Sequence, residues 1–113
     1  MTWKDLLTDI RKALNDPSSS YWPDSDLLQR VIVTRNELWG LHPEAFAVSS
    51  VVTALPADPT ENNLTATLDF LPTWAEAVRS HVLWQCYMDD SDVAQNSKLA
   101  DGYYAIWQRK VGG

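Results

Sequence analysis

The chain has 113 residues, 45% of them hydrophobic and 11% aromatic, with six tryptophans, a formal charge of −6 and a single cysteine. That length suits one domain, residues 1–113, able to bury roughly two-thirds of the surface its unfolded chain exposes. The acidity argues against nucleic-acid binding as the main role, since such modules carry a basic patch, and one cysteine excludes an intramolecular disulfide or a multi-cysteine metal site. No apolar run reaches the ~20 residues of a membrane span, and the start MTWKDLLTDIRK reads as a helix instead of a signal peptide. A soluble chain synthesised inside the cell is therefore expected.

In the first segment Trp3, Leu6, Leu7, Ile10, Ala13 and Leu14 recur at three- and four-residue steps, the period of an amphipathic helix. Thr2 is placed to cap it, with Asp5 three residues on as a short substitute for the usual Glu or Gln of a capping box. Asn15, Asp16 and Pro17 end the helix, and Ser18, Ser19 and Ser20 extend the turn. The basic pairs Arg11/Lys12 and Arg109/Lys110 read as helix-end surface charge.

A second helix starts at or near Pro23, with Asp24 and Asp26 complementing the dipole of its first turn. Its inner face is Leu27, Leu28, Val31, Ile32, Arg35, Leu38 and Trp39, where Arg35 is expected to snorkel past apolar neighbours. Gly40 is expected to supply a left-handed stop. From Phe46 to Phe70, two β-branched runs flank a turn rich in Pro, Asp and Asn, which predicts a β-hairpin or extended arm resting on the helices or on another chain.

A third helix opens at Leu71-Pro72 and runs to about Met88, apolar over more than half its circumference, which suits a central helix or one that also meets a neighbouring subunit. Asp89, Asp90, Ser91 and Asp92 offer caps for a fourth helix, about Ser91 to Lys110, with Val93, Asn96, Ala100, Tyr103 and Trp107 facing inward and Gly112-Gly113 releasing it. The fold class is mainly α: a four-helix bundle with a β-hairpin or extended arm, about 46–70, inserted between helices 2 and 3.

Chemistry-bearing residues are few. His42 stands beside Pro43 in a turn, and His81 lies on the third helix within reach of Trp84 and Gln85, where a hydrogen-bonded, partly buried role is expected. Cys86 has acidic neighbours in Asp89 and Asp90 and so reads as packing instead of a reactive thiol. The acidic turn lacks the Gly and final Glu of a calcium loop, and no phosphate loop, nucleophile elbow or zinc pattern is present. Neither enzymatic activity nor a cofactor or metal is expected.

The order LNDP, then YWPDSDLLQRVIVTRNELWGLHPEAF, then LDFLPTWAEAVRSHVLWQCYMDDSDVAQNSKLADGYYAIW resembles the small head-to-tail adaptor (connector) proteins of tailed phages. The resemblance rests on an Asn-Asp-Pro-like turn, a Trp-Ser/Thr-Asp-like opening of the second helix, an Arg-Pro-like exit and a late helix pair rich in Tyr and Ala. It covers most of the chain outside the 46–70 insert. Here Pro23 stands in place of Ser or Thr, and His42 in place of Arg. The resemblance implies a virion protein made in the host cytoplasm, forming a homo-oligomeric ring, commonly twelve-fold, between the portal protein and a tail or nozzle protein. DNA would pass through its channel without specific binding, and a negative lumen would repel phosphates. Trp22, Trp39, Trp74 and Trp107 are the candidate subunit or partner contacts, with core packing as the competing role of each. The alternative is a small acidic phage or bacterial protein that binds a host protein.

Overall fold

A computed structural model describes residues 1–16, 21–48, 54–89 and 94–112. The described residues form four helices and no strand. These are α1 (Trp3–Leu14), α2 (Asp24–Leu41), α3 (Ala75–Asp89) and α4 (Ala94–Gly112), with short 3-10 turns at Pro43–Phe46, Glu61–Asn63 and Pro72–Trp74. α3 packs against each of the other three helices and most extensively against α4, the central position its broad apolar surface suggests. The body is flattened, 43 × 33 × 17 Å.

Both ends of α1 close as local chemistry dictates. Thr2 N–H donates to Asp5 Oδ2 at 2.9 Å and Asp5 N–H donates to Thr2 Oγ1 at 3.1 Å, a complete capping box in which Asp suffices. The Thr2 backbone N–H holds the Asp5 carboxyl below its ordinary range, with the Thr2 hydroxyl adding to the effect. At the other end Asn15 takes the left-handed conformation, φ 55°. Its N–H donates to Lys12 O and the N–H of Asp16 to Arg11 O, the paired bonds of a Schellman stop.

α2 begins after Pro23 as expected, but Gly40 is not its stop. Gly40 lies within the helix, and no described glycine has positive φ. The helix ends one residue later because His42 precedes Pro43, whose ring disfavours helical geometry there, and His42 sits at φ −142°, ψ 74°. α3 is preceded by the 3-10 turn at Pro72 and extends to Asp89. α4 covers Ala94–Gly112; the expected caps Asp90, Ser91 and Asp92, together with Val93 and Gly113, lie outside the described residues.

The expected hairpin over Phe46–Phe70 is not supported. Residues 49–53 of its first run lie outside the described residues, and 54–70 contain no strand. The backbone of the second run turns to the start of α1 instead: Trp3 N–H donates to Ala66 O at 3.2 Å, Lys4 N–H to Leu64 O at 2.8 Å and Leu68 N–H to Met1 O at 3.0 Å. A helix leaves its first amides without internal acceptors, and this segment supplies two of them. The β-branched pattern therefore encodes an extended stretch whose partner is α1's N-terminus, with one isolated antiparallel bridge between Thr2 and Thr67. Leu68 and Phe70 anchor it in the core beside Trp3, Leu6, Ile10, Val31, Leu38, Phe46, Val78 and Val82.

Candidate functional site

Three polar clusters organise the described structure, and the first surrounds Arg35. Instead of snorkelling, Arg35 is fully buried. Nε donates to Asp69 Oδ2 at 2.8 Å, Nη1 to Asp58 Oδ1 at 2.9 Å and to Asn36 Oδ1 at 3.1 Å, and Nη2 to the carbonyls of Pro56 at 2.6 Å and Ala57 at 3.2 Å. A guanidinium has five donor hydrogens in a rigid fork, and these acceptors surround it. The cluster fastens residues 56–69 to α2.

The second cluster is Arg11, also buried despite its position in a helix-end basic pair. Nη1 donates to Trp22 O at 2.7 Å and more distantly to Asp16 O and Oδ2, while Nη2 pairs with Asp24. Asp16 in turn accepts from the backbone N–H of Trp22 at 2.8 Å and Tyr21 at 3.2 Å. A recess of about 420 Å³ borders this arginine, lined by Lys4, Thr8, Asp24, Glu61 and Asn62 among others. Its positive and negative groups are mixed, and Arg11 already has acceptors.

The third cluster comes nearest to a catalytic arrangement. His81, almost fully buried on α3, lies with Nδ1 2.6 Å from Thr34 Oγ1 and Nε2 3.1 Å from Glu37 Oε2, giving hydroxyl, imidazole and carboxylate in sequence. The Gln85 amide nitrogen lies 3.1 Å from Nδ1 and donates to Thr34 Oγ1 at 2.8 Å and to Arg30 O. With the two Gln85 hydrogens on Thr34 Oγ1 and Arg30 O, the Thr34 hydroxyl is left to donate to Nδ1, which makes Nδ1 the acceptor and assigns the proton to Nε2, facing Glu37. Burial pushes the His81 pKa down, opposed by Glu37. The polarity is wrong for acyl transfer: the Thr34 hydroxyl is fully buried while the Glu37 end is open to solvent. A substrate carbonyl cannot reach the hydroxyl, so the chain of bonds joins α2 to α3.

Cys86 is buried, and burial pushes its thiol up to about 12 despite the opposing charge of Arg30. His42 Nδ1 lies 2.7 Å from Glu44 Oε1 and its Nε2 2.5 Å from Val111 O. The Val111 carbonyl raises its pKa most, followed by Glu44. Among the described residues, no three His, Cys, Asp or Glu side chains group closely enough to hold a metal ion, and no helix is long and apolar enough to cross a membrane.

The four candidate contact tryptophans are distributed over four separate groupings. Trp107 is buried, its ring 4.6 Å from that of His81. Trp39 is half-buried and meets Phe46 edge-on at 5.3 Å. Trp74, also half-buried, lies 5.0 Å from the His42 ring and under the Lys110 ammonium at 4.7 Å. Trp22, half-buried, stands beneath the Arg30 guanidinium at 5.2 Å. Thr34, Glu37, Asp58 and Asp69 were not singled out by sequence. The spacing of Thr34 and Glu37 on one helix face and of His81 and Gln85 on another was a usable signal for the His81 cluster. The Arg35 partners are 23 and 34 residues away and leave no local signal.

No family model, curated protein or solved structure matches the chain.

Proposed function

We propose that this chain is a structural head-to-tail adaptor of a tailed phage virion, assembling as a ring between portal and tail and acting without catalysis. The observation that carries the reading is the ordered set of turns Asn15-Asp16-Pro17, Tyr21-Trp22-Pro23-Asp24 and Leu41-His42-Pro43 between helices, joined to the late aromatic helix pair. Two features support it. Both histidines and the cysteine are engaged in packing or in bonds between elements, which suits a structural role. On α4, Leu99, Gly102, Tyr103 and Ile106 form a shallow apolar strip next to Lys98, a surface suited to a neighbouring subunit.

In this reading the ring closes through one repeated heterologous contact, and the net negative charge keeps DNA phosphates from lodging in the channel. The deciding experiment is native mass and ring symmetry of the purified protein, alone and mixed with a portal ring. A ring, or a monomer that assembles only on the portal, is the expected result. A protein that never joins a portal overturns the proposal, and recovery instead of a stable complex with a host protein would favour the acidic partner-binding alternative.

A further inference from the structure

The two histidines differ in what surrounds them, and the difference assigns each a proton count. At His81 the Thr34 hydroxyl donates to Nδ1 and Nε2 faces Glu37, so one ring proton satisfies the site. At His42 both partners can only accept: a carboxylate oxygen, Glu44 Oε1, at 2.7 Å from Nδ1 and a backbone carbonyl, Val111 O, at 2.5 Å from Nε2. A neutral imidazole has one N–H and can serve one of them; both bonds require the imidazolium. We propose that His42 is a pH-dependent latch that, as the imidazolium, pins the C-terminal turn of α4 to the end of α2, and that loss of its second proton leaves a single N–H on the Glu44 carboxylate, the stronger acceptor, and so loosens the hold on the Val111 carbonyl.

The surroundings fit this role. Val111 O belongs to the last turn of α4, where carbonyls lack intrahelical donors and the helix dipole favours a cation. Glu44, from the 3-10 turn after α2, favours the charged ring, and Lys110, from α4 itself, opposes it. The turn Pro72–Trp74 brings the Trp74 ring and no charge, and the last turn of α2 carries no basic residue. Lys110 is held over the Trp74 ring, which His42 also contacts, so the two side chains meet at α4's last turn around one shared ring. The Val111 carbonyl and Glu44 together raise the His42 pKa. The sign follows: the latch is complete below the ordinary value of 6.5 and is lost as pH rises through the raised one.

The test is NMR on the full chain between about pH 5.5 and about pH 9, a range bracketing ordinary histidine titration. At the acid end both ring nitrogens of His42 should carry protons, whereas His81 should show a single tautomer. Exchange protection of the backbone amides in 108–112, corrected for intrinsic rates, should fall about tenfold with the midpoint of the His42 titration, the low end of what losing one charge-assisted hydrogen bond implies. His42→Gln, whose amide can donate to Val111 O at every pH, should abolish the pH dependence. Glu44→Gln, at an exposed side chain that leaves folding intact, should lower the midpoint. A single-tautomer His42 at the acid end, protection that ignores the titration, or an unchanged midpoint in Glu44→Gln would each overturn the latch. The inference stands apart from the adaptor reading, because every contact it invokes lies within a single chain.

Discussion

Replacing Arg35 with Met should destabilise the fold by about 3–5 kcal/mol, the cost of breaking a buried ion pair from one side. The structure shows why the figure belongs at that scale. Arg35 is 0% exposed, and its departure strands Asp69, only 18% exposed, together with the carbonyls of Pro56 and Ala57. Asp69 depends on that arginine, since among the described residues its buried Oδ1 has no hydrogen-bond partner while Oδ2 takes the guanidinium. Asp58, 56% exposed, can turn to water when the arginine leaves, so Asp58→Asn should cost at most about 1 kcal/mol. The pair of substitutions Arg35→Met and Asp69→Leu should recover part of the single-variant loss, because no charge is then left unpaired. Urea unfolding of the parent, these three variants and Asp69→Asn measures these differences, and limited proteolysis over 54–70 should rise selectively in Arg35→Met. A cost below about 1 kcal/mol for that variant, or equal losses from Asp58→Asn and Asp69→Asn, would refute the assignment of Arg35 as the fastener of the segment.

Cys86, with its thiol raised to about 12, should resist alkylation in the native state and react at a rate that follows unfolding; rapid stoichiometric labelling without denaturant would contradict its burial. Trp107→Ala should cost about 3–5 kcal/mol and half-buried Trp39→Ala about half as much by thermal or urea unfolding; a Trp39 variant that keeps parental stability but fails to assemble would mark that ring as a subunit contact. Because burial depresses the His81 pKa, the folded state takes up fewer protons than the unfolded chain below the ordinary value of 6.5. His81 therefore contributes stability above that value that is lost as pH falls, by at most about 1.4 kcal/mol per pH unit, and a His81→Gln variant should show a shallower acid decline.

The helices were legible because their signals are local. Periodic apolar positions placed α1 and α2, Pro23 and Pro72 marked openings, and Thr2 with Asp5 closed a box that the structure completes. The 46–70 insert departs from the expected hairpin because alternation and β-branching report extended backbone without reporting what it pairs with. Its acceptors went to the amides of Trp3 and Lys4, 63 and 60 residues away in the chain. Gly40 differs from its expected role for a related reason: a glycine near a helix end suggests a left-handed stop, but Pro43 acts on His42 and ends the helix without one. Arg11 was hidden within a pair of basic residues whose usual place is the surface, and only the turn that folds back over it shows that it is buried.

Three arginines use the same device at three joints. Arg11 on α1 holds Asp16 and Asp24 on either side of the first connection, Arg35 on α2 holds Asp58 and Asp69 in the second, and Arg30 on α2 joins Asp26 of its own helix to Asp89 at the end of α3. At Arg30 burial works against the charge, yet Asp89 and Asp26 outweigh it and raise the pKa above its ordinary value. A planar fork with five donors can serve two carboxylates and still reach backbone carbonyls, which a lysine ammonium in the same place could not match in geometry. Six aspartates against three arginines leave a charge of −3 at these joints, half of the chain's net −6. The acidity that a DNA conduit would exploit is thus in part a by-product of how the connections are tied down. Charge-neutralising substitutions meant to test electrostatic repulsion of DNA should accordingly be made away from these six aspartates, where loss of function would otherwise report a loosened fold.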